Sequence, residues 1–557
     1  MNNRNKKLSR LSAVKRKSPQ RNRVQVVILL GIAFVAGICR SEPGLYRLSW
    51  VEEPSTSATI CWSLLSGENP VLQYGKVGSS ITKTVPAQTN LCMDLTHCFV
   101  RLKNLKPDTA YWFKAGDSEG TGRRLWFRTA PITSKPFSFI SGGDSRLGDR
   151  DARQAGNLLV SKLRPLFVLF GGDYVANGDP KKWRKWLDDW QLTISEDGRI
   201  YPIVPAYGNH ELYDRGILNK IFAAPETSYY SVGVGNDLLR LWVLDSEAKG
   251  SAVVAQNRWF NESLTKHTNA RWKMTAYHAP MRPTSTSKSN RNWLYDRWAN
   301  LFFENGINVV FESDQHSVKR TWPIRPDKGP GSDEGFIRDD EKGTVYLGEG
   351  TWGAPMRLAD NPKPWTRACG KFAQFKWVWV SPKQLQVRSV KLENAKVAAS
   401  VKDDQPFKEP GGMVFWTPES GKVLCLPIDS SDPNLAKAPL FCIFLDRDSE
   451  WVWTEDKETG TCQTTRSFVV KGRSQIKDRV LTEFKLSEGE VFVRLNGREI
   501  LHKKIVNKDG HSSIKRFTIK LDPALLKEGE NAIEVTWKPT GDKKVFDMRI
   551  GAWETPQ

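Results

Sequence analysis

The sequence predicts a multidomain protein with an N-terminal β-sandwich, a central α/β unit and a C-terminal β-rich unit. Three observations predict it. Apolar residues alternate at period two over residues 43–130. From about 136 to 395, short apolar runs interleave with helix-period segments, and strand signals return after about 400. The 557 residues exceed what one core ordinarily holds and suggest two to four domains. With 39% hydrophobic and 26% charged residues, the composition excludes wholesale disorder and a polytopic membrane protein. Residues 1–40 hold ten Lys/Arg and no acid, so of the net charge of +21 the remaining chain carries +11. That excess suits anionic substrates without demanding nucleic acid, and no nucleic-acid partner is expected. Eight cysteines with no C-x-x-C argue against a zinc ribbon and against a disulfide-dense mini-fold.

The first element, residues 1–40, is a targeting segment. Nine Lys/Arg precede an apolar run of 14 residues, Val26 to Cys39. That is a charged region followed by an apolar stretch shorter than the roughly 20 residues of a full span. It predicts export as a cleaved signal peptide or an uncleaved signal anchor, leaving the body periplasmic, extracellular or anchored to the outside of the membrane.

The second element, residues 43–131, alternates in Ala58–Trp62, Phe99–Leu102 and Trp112–Ala115, with turn signals every eight to twelve residues. This is the pattern of a small β-sandwich. Its segment Leu105–Tyr111 resembles the L-x-P-x-T-x-Y turn of fibronectin type III domains.

The third element, residues 136–395, places strands at Phe137–Ile140, Leu166–Phe170, Ile203–Ala206, Leu239–Leu244, Met274–Tyr277 and Ile307–Phe311. Trp183, Trp186 and Trp190 recur at helical spacing beside Lys181, Lys182, Arg184 and Lys185. Such a stripe reads as a core face with a solvated basic back. The fourth element, residues 400–557, includes Phe492–Gly497 and Glu528–Val535, which resemble jelly-roll modules of the galactose-binding-like type. A glycan or cell-surface contact would follow from that resemblance.

Chemistry concentrates in the third element. Gly143-Asp144, Gly172-Asp173, the run Gly208 to Glu211, the run Tyr277 to Pro280 and the run Asp314 to His316 each follow a strand. All five would therefore gather at the carboxyl edge of a sheet, where α/β folds bind ligands. Glycine before the first two Asp lets the backbone turn sharply and aim the carboxylate inward. Asp, Asn and His together offer oxygen and nitrogen donors suited to Mn, Fe or Zn.

These motifs, in this order, resemble the calcineurin-like metallophosphoesterases and, within them, the purple acid phosphatases. The resemblance covers residues 43–395 and implies an αββα metallophosphoesterase sandwich behind a fibronectin-like domain. It also draws in Glu349 and Gln256-x-x-Trp259. Carried over position by position, it implies two metal ions. Asp144, Asp173 and His316 would hold the first; Asp173 would bridge to the second, completed by Asn209, His278 and Asp314. His210 would bind the phosphate or protonate the leaving oxygen, and Arg146 either faces phosphate or forms an ordinary ion pair.

Three departures from the family pattern stand out. Asp314 replaces a metal-ligating His; Ala176 occupies the position of the colour-giving Tyr, with Tyr174 nearby; and no His occurs between 278 and 316, where the family carries substrate-facing histidines. The first two changes favour the harder ions Mn²⁺ and Fe²⁺ over Zn²⁺. The implied activity is hydrolysis of phosphate mono- or diesters. The competing reading is a catalytically weak binding protein on the same scaffold, engaging glycans or a cell surface through its sandwich domains. Elsewhere, Lys319 and Arg320 read as structural. His97, His267, His502 and His511 read as surface or turn residues, and disulfides are expected within 61–98 and within 425–462.

Overall fold

The computed structural model describes residues 43–428, except 147, 330 and 349, and most strands between 454 and 552. Residues 1–40, expected to be a targeting segment, lie outside the described residues, as do Glu349 and His511. Among the described residues, no helix is long and apolar enough to cross a membrane.

Two sheets pack face to face in the centre of the molecule. One has ten strands, in the order Val423–Leu426, Leu385–Lys391, Gln374–Val380, Phe137–Gly142, Val168–Phe170, Pro202–Pro205, Gly44–Ser49, Ala58–Leu64, Leu95–Leu102 and Gln88–Cys92. The other has seven: Tyr230–Val234, Leu239–Val243, Trp272–Ala276, Val309–Glu312, Val345–Gly348, Val318–Thr321 and Thr366–Gly370. The strands Leu239–Val243, Trp272–Ala276, Val309–Glu312 and Val345–Gly348 run parallel. Strand geometry sends alternate side chains to opposite faces, and both faces here are covered. Leu241, Val243, Met274, Val309, Phe311 and Val345 share one core with the first sheet, where Phe139 meets Phe311 edge-on with centroids 5.8 Å apart. Trp242, Val310 and Tyr346 point the other way, onto Phe260 of α4 (Ser251–Lys266) and Trp298 and Phe302 of α5 (Asn292–Glu304).

Three helices come earlier in the chain: α1 (Arg150–Leu163), α2 (Pro180–Trp190) and α3 (Ile217–Phe222). Helix α2 starts where Asp179 accepts from the Lys181 N–H and Pro180 presets the first turn. Its Trp183, Trp186 and Trp190 are fully buried, and Trp186 packs edge-on to Phe170 of the first sheet. The stripe is core, as its spacing predicts.

The expected N-terminal sandwich is present as a β-rich unit, but it shares a sheet with the centre. Gly44–Ser49 pairs in parallel with Pro202–Pro205, in register Leu48 with Pro202. The sandwich core (Leu48, Ile60, Trp62, Leu72, Val100, Phe113 and Phe127) lies against a second small sheet. In the turn singled out above, the Lys106 N–H donates to the Tyr111 hydroxyl at 2.9 Å.

Several expectations need correcting. His97 is 1% exposed, not a surface residue: Arg47 donates to its Nδ1 at 3.1 Å. Burial, then the Arg47 charge, push its pKa down to about 3, so it stays a neutral acceptor. His502, by contrast, is at the surface as expected, in the strand Arg498–Ile505, and its Nε2 lies 2.6 Å from Glu490. Cys61, Cys92 and Cys98 are free thiols. Cys61 pairs in register with Phe99, and Trp62 with Cys98, so Cys61 and Cys98 face opposite sides of the sheet and cannot bridge. The central body also runs on past the expected boundary near 400. Val423–Leu426 extends the ten-stranded sheet, and buried Arg320 and Arg367 donate to the Lys422 and Ser420 carbonyls. That contact also accounts for Arg320 as a structural residue, while Lys319 is buried against Glu312.

The later strands form two antiparallel sheets of five and three. In one hairpin, Asn496 (φ 50°) and Gly497 (φ 81°) take the positive angles that a two-residue turn demands.

Candidate metal centre

The five motifs converge as expected. Each follows a strand of one of the two central sheets, and their side chains meet where the carboxyl ends of both sheets come together. Two groups of potential ligand atoms lie there, Asp144 with Asp173 and His316, and Asp173 with His278 and Asp314. Within each group the atoms lie within 4.8 Å of one another, and all five residues are buried.

The backbone is bent to achieve this. Asp144, Asp173, Asp314 and His316 have φ of 56°, 57°, 55° and 55°, the left-handed region that costs a non-glycine residue roughly 1–3 kcal/mol. Hydrogen bonds hold the bends. The Asp144 N–H donates to the Gly172 carbonyl at 3.0 Å, and the Asp314 N–H donates to Asp144 Oδ2 at 2.9 Å. A side chain at Gly208 would strike Asp173 Oδ1 at 2.4 Å, so glycine is required where that loop passes the shared carboxylate.

Three histidines are oriented alike. His210, His278 and His316 each set Nδ1 against a backbone carbonyl, of Ala176 (2.7 Å), Gly171 (2.8 Å) and Pro355 (2.8 Å). A proton on Nδ1 satisfies the carbonyl and presents the Nε2 lone pair to the site, the arrangement a metal-ligating or proton-transferring imidazole needs. His278 Nε2 lies 3.2 Å from Asn209 Oδ1 and 3.3 Å from Asp173 Oδ1; His316 Nε2 lies 2.9 Å from Asp144 Oδ1. His210 Nε2 stands further back, 3.8 Å from Asp173 Oδ2.

Charges in the site are strongly coupled. Burial alone would raise the Asp173 pKa, but His278 and His210 outweigh it and hold the carboxyl well below its usual range. Burial likewise opposes ionisation of Asp314, yet His278, Lys288 and Arg291 bring it down to about 2. His278 moves the other way: burial lowers it, but Asp173 with Asp144 raises it well above the ordinary imidazole value. The buried Asp173 Oδ2 has no hydrogen-bond partner. Among the described residues its close charge partners are Arg146 at 3.1 Å and His210 at 3.8 Å, and buried carboxylates set among imidazole nitrogens form a donor set that suits two ions sharing Asp173.

Arg146 faces inward, 19% exposed, with Nε 3.1 Å from Asp173 Oδ2 and Nη2 3.4 Å from His316 Nε2. Tyr174 points away: its ring packs on Phe170 and Trp183, and its hydroxyl donates to the Ala206 carbonyl at 3.3 Å. Gln256 bridges the backbone of Asp245.

Sequence reasoning missed several neighbours. Glu211 is buried and accepts from the N–H groups of Asp173, Tyr174 and Gly208, fixing the Asp173 and Asn209 loops to each other. Burial, then Asp173, raise its pKa to about 8. Lys288 and Arg291 both grip Asp314, and Arg357 donates to the Asp314 carbonyl at 2.8 Å. For Lys288 and Arg291 the only signal was the presence of cations in the stretch that lacks histidine.

Comparison with known proteins agrees with this geometry. Residues 43–139 match the family model of the purple acid phosphatase N-terminal domain, and residues 147–318 that of the calcineurin-like phosphoesterases. The chain is 24% identical over 354 residues to acid phosphatase type 7 of Mus musculus, covering 58% of this chain and 79% of the relative. An uncharacterized Mycobacterium tuberculosis protein is 26% identical over 384 residues, covering 58% and 72%. The purple acid phosphatase of yellow lupin (Lupinus luteus) seeds shares the fold with a TM-score of 0.53 at 15% identity, over 68% of this chain and 77% of that one. Residues 147–318 thus form a calcineurin-like phosphoesterase domain, and the chain is a phosphoesterase, a hydrolase. Within that class it is purple acid phosphatase-like, with the N-terminal domain those enzymes carry.

Proposed function

We propose that the chain is an exported phosphatase or phosphodiesterase whose centre holds two ions on Asp144, Asp173, Asn209, His278, Asp314 and His316. The observation that carries this reading is the pair of buried ligand groups sharing Asp173. Two divalent ions there would polarise the phosphoryl group and make a nucleophile available at neutral pH. Around them, Arg146 orients the phosphate by charge-assisted hydrogen bonds. His210, its Nδ1 anchored on Ala176, brings Nε2 within 3.8 Å of Asp173 Oδ2, in place to bind the phosphate or protonate the leaving oxygen. Four of the six proposed ligands are oxygen donors, which supports Mn²⁺ or Fe²⁺ over Zn²⁺. Export is supported by the basic and apolar N-terminal segment. A glycan or cell-surface contact is supported by the module-like phrases of the last 150 residues or so.

The test is metal analysis with p-nitrophenyl phosphate and bis(p-nitrophenyl) phosphate assays before and after chelation. Hydrolysis lost on chelation and restored by Mn²⁺ or Fe²⁺ is expected. A folded protein that binds no metal and cleaves neither compound would be the catalytically weak binding protein instead.

A further inference from the structure

The loop between His278 and α5 places two full positive charges on one buried carboxylate. Lys288 Nζ sits on Asp314 Oδ1, and Arg291 Nη2 lies 2.5 Å from Oδ2. Asp314 is 3% exposed, whereas Lys288 and Arg291 are 20% and 22% exposed, so the cations form the outer wall of the site. One cation would suffice to neutralise the acid. The pair therefore holds surplus positive charge, and the surplus grows when Asp314 shares its charge with a metal ion. Arg291 Nη1 is buried and makes no hydrogen bond, so the guanidinium keeps an unused donor. Arg357 adds a third cation, close enough for Asp314, Asp144 and Asp173 to act on it, although burial lowers its pKa.

The loop is built rather than loose. Buried Gln315 accepts from the Thr284 N–H at 3.0 Å, Asp360 accepts from both the N–H and the hydroxyl of Thr286, and the Arg291 N–H donates to the Met281 carbonyl at 3.0 Å. Lys288 and Arg291 are thus presented from a pinned segment, and ordering them costs a substrate little.

We propose that Lys288 and Arg291, backed by Arg357, bind a second anionic group of the substrate. The enzyme would then select phosphate esters that carry another phosphate near the scissile one. The inference rests on the phosphoesterase reading above. A lone monoester satisfies Arg146 and the metal centre; a second phosphate is what pays for desolvating the remaining cations, because charge-assisted hydrogen bonds replace their lost water.

Glucose 1,6-bisphosphate and glucose 1-phosphate make the test, since they differ by one phosphate. The full chain should favour the bisphosphate in kcat/KM. In Lys288→Met and Arg291→Met, that preference should shrink by about ten-fold each, mainly through KM, and Arg291→Lys should recover part of it. Metal content and thermal unfolding of each variant show whether the centre is intact. Binding of inorganic pyrophosphate and inorganic phosphate, measured calorimetrically, gives a second readout that needs no turnover: pyrophosphate should lose affinity selectively. Equal loss for both ligands, or metal loss alone, would make the two cations mere supports of Asp314 and overturn the proposal. If the unmodified chain hydrolyses neither the sugar phosphates nor the two p-nitrophenyl esters, the phosphoesterase reading fails, and the pyrophosphate measurement still decides the anion site.

Discussion

The two halves of the metal centre share Asp173 but are built differently. The Asp144–His316 half closes on itself: Asp144 meets His316 at 2.9 Å and receives the Asp314 N–H, and Arg146 comes within 3.4 Å of His316 Nε2. The His278–Asp314 half is flanked by Lys288 and Arg291, both paired with its carboxylate. In the first half the negative charge is left for a cation to neutralise. In the second, protein cations already neutralise much of it, so an ion there is held against local positive charge. The difference teaches that one carboxylate-for-imidazole exchange, at position 314, is accompanied by basic residues from a separate loop.

The largest effect should come from removing what the halves share. Asp173→Ala is expected to lose both ions and all measurable hydrolysis, because one carboxylate serves two positions. Elemental analysis beside a p-nitrophenyl phosphate assay checks it; wild-type metal content in that variant would remove the bridge. Next in size is His210→Ala, which should keep its metals and lose about 10²–10⁴-fold in rate, the usual range for a positioned proton donor. Loss of metal in that variant would make His210 a ligand instead.

Asp314→Asn sharpens the contrast between the halves. It removes the charge that offsets Lys288 and Arg291, leaving two uncompensated cations beside the second position. Metal content should fall from about two to about one ion per chain, and the additional changes Lys288→Met and Arg291→Met should raise it again. Without such a recovery, Asp314 would matter as a ligand alone and the cations would not oppose the ion.

How much of this was legible depended on the distance over which each signal acts. The strand-end motifs were readable because Gly-Asp and Asn-His follow their strands directly, and chain topology then brings them to one edge. The central strands were readable because a sheet covered on both faces needs unbroken apolar runs such as Leu239–Val243. His97 was not, because its partner Arg47 lies 50 residues away and only sheet register joins them. The shared sheet was equally hidden: nothing in Gly44–Ser49 says that Pro202–Pro205 will lie beside it. Lys288 and Arg291 sit in a Ser/Thr-rich loop with no periodicity, so their aim at Asp314 is a fact of the fold.

The smallest expected effect tests the closed half. In purple acid phosphatase-like sites a Tyr three residues after the bridging Asp would give colour; here that residue is Ala176, and its carbonyl is engaged by His210 Nδ1. Tyr174 is the nearest phenol in sequence, yet its ring stacks on Phe170 with centroids 4.6 Å apart and its hydroxyl reaches the Ala206 carbonyl. Burial raises its pKa well above the usual value, with Glu211 adding to the shift, so the phenolate that would bind iron is disfavoured as well as misdirected. Protein produced with iron, manganese and zinc together should therefore show no tyrosinate–iron(III) band in the visible region. Tyr174→Phe should leave its metal content and spectrum as they were, with only about 0.5–1.5 kcal/mol of stability lost from one hydrogen bond. A visible band that disappears in Tyr174→Phe would mean that the ring leaves its aromatic cluster when iron binds, and the closed half would then be the half that rearranges.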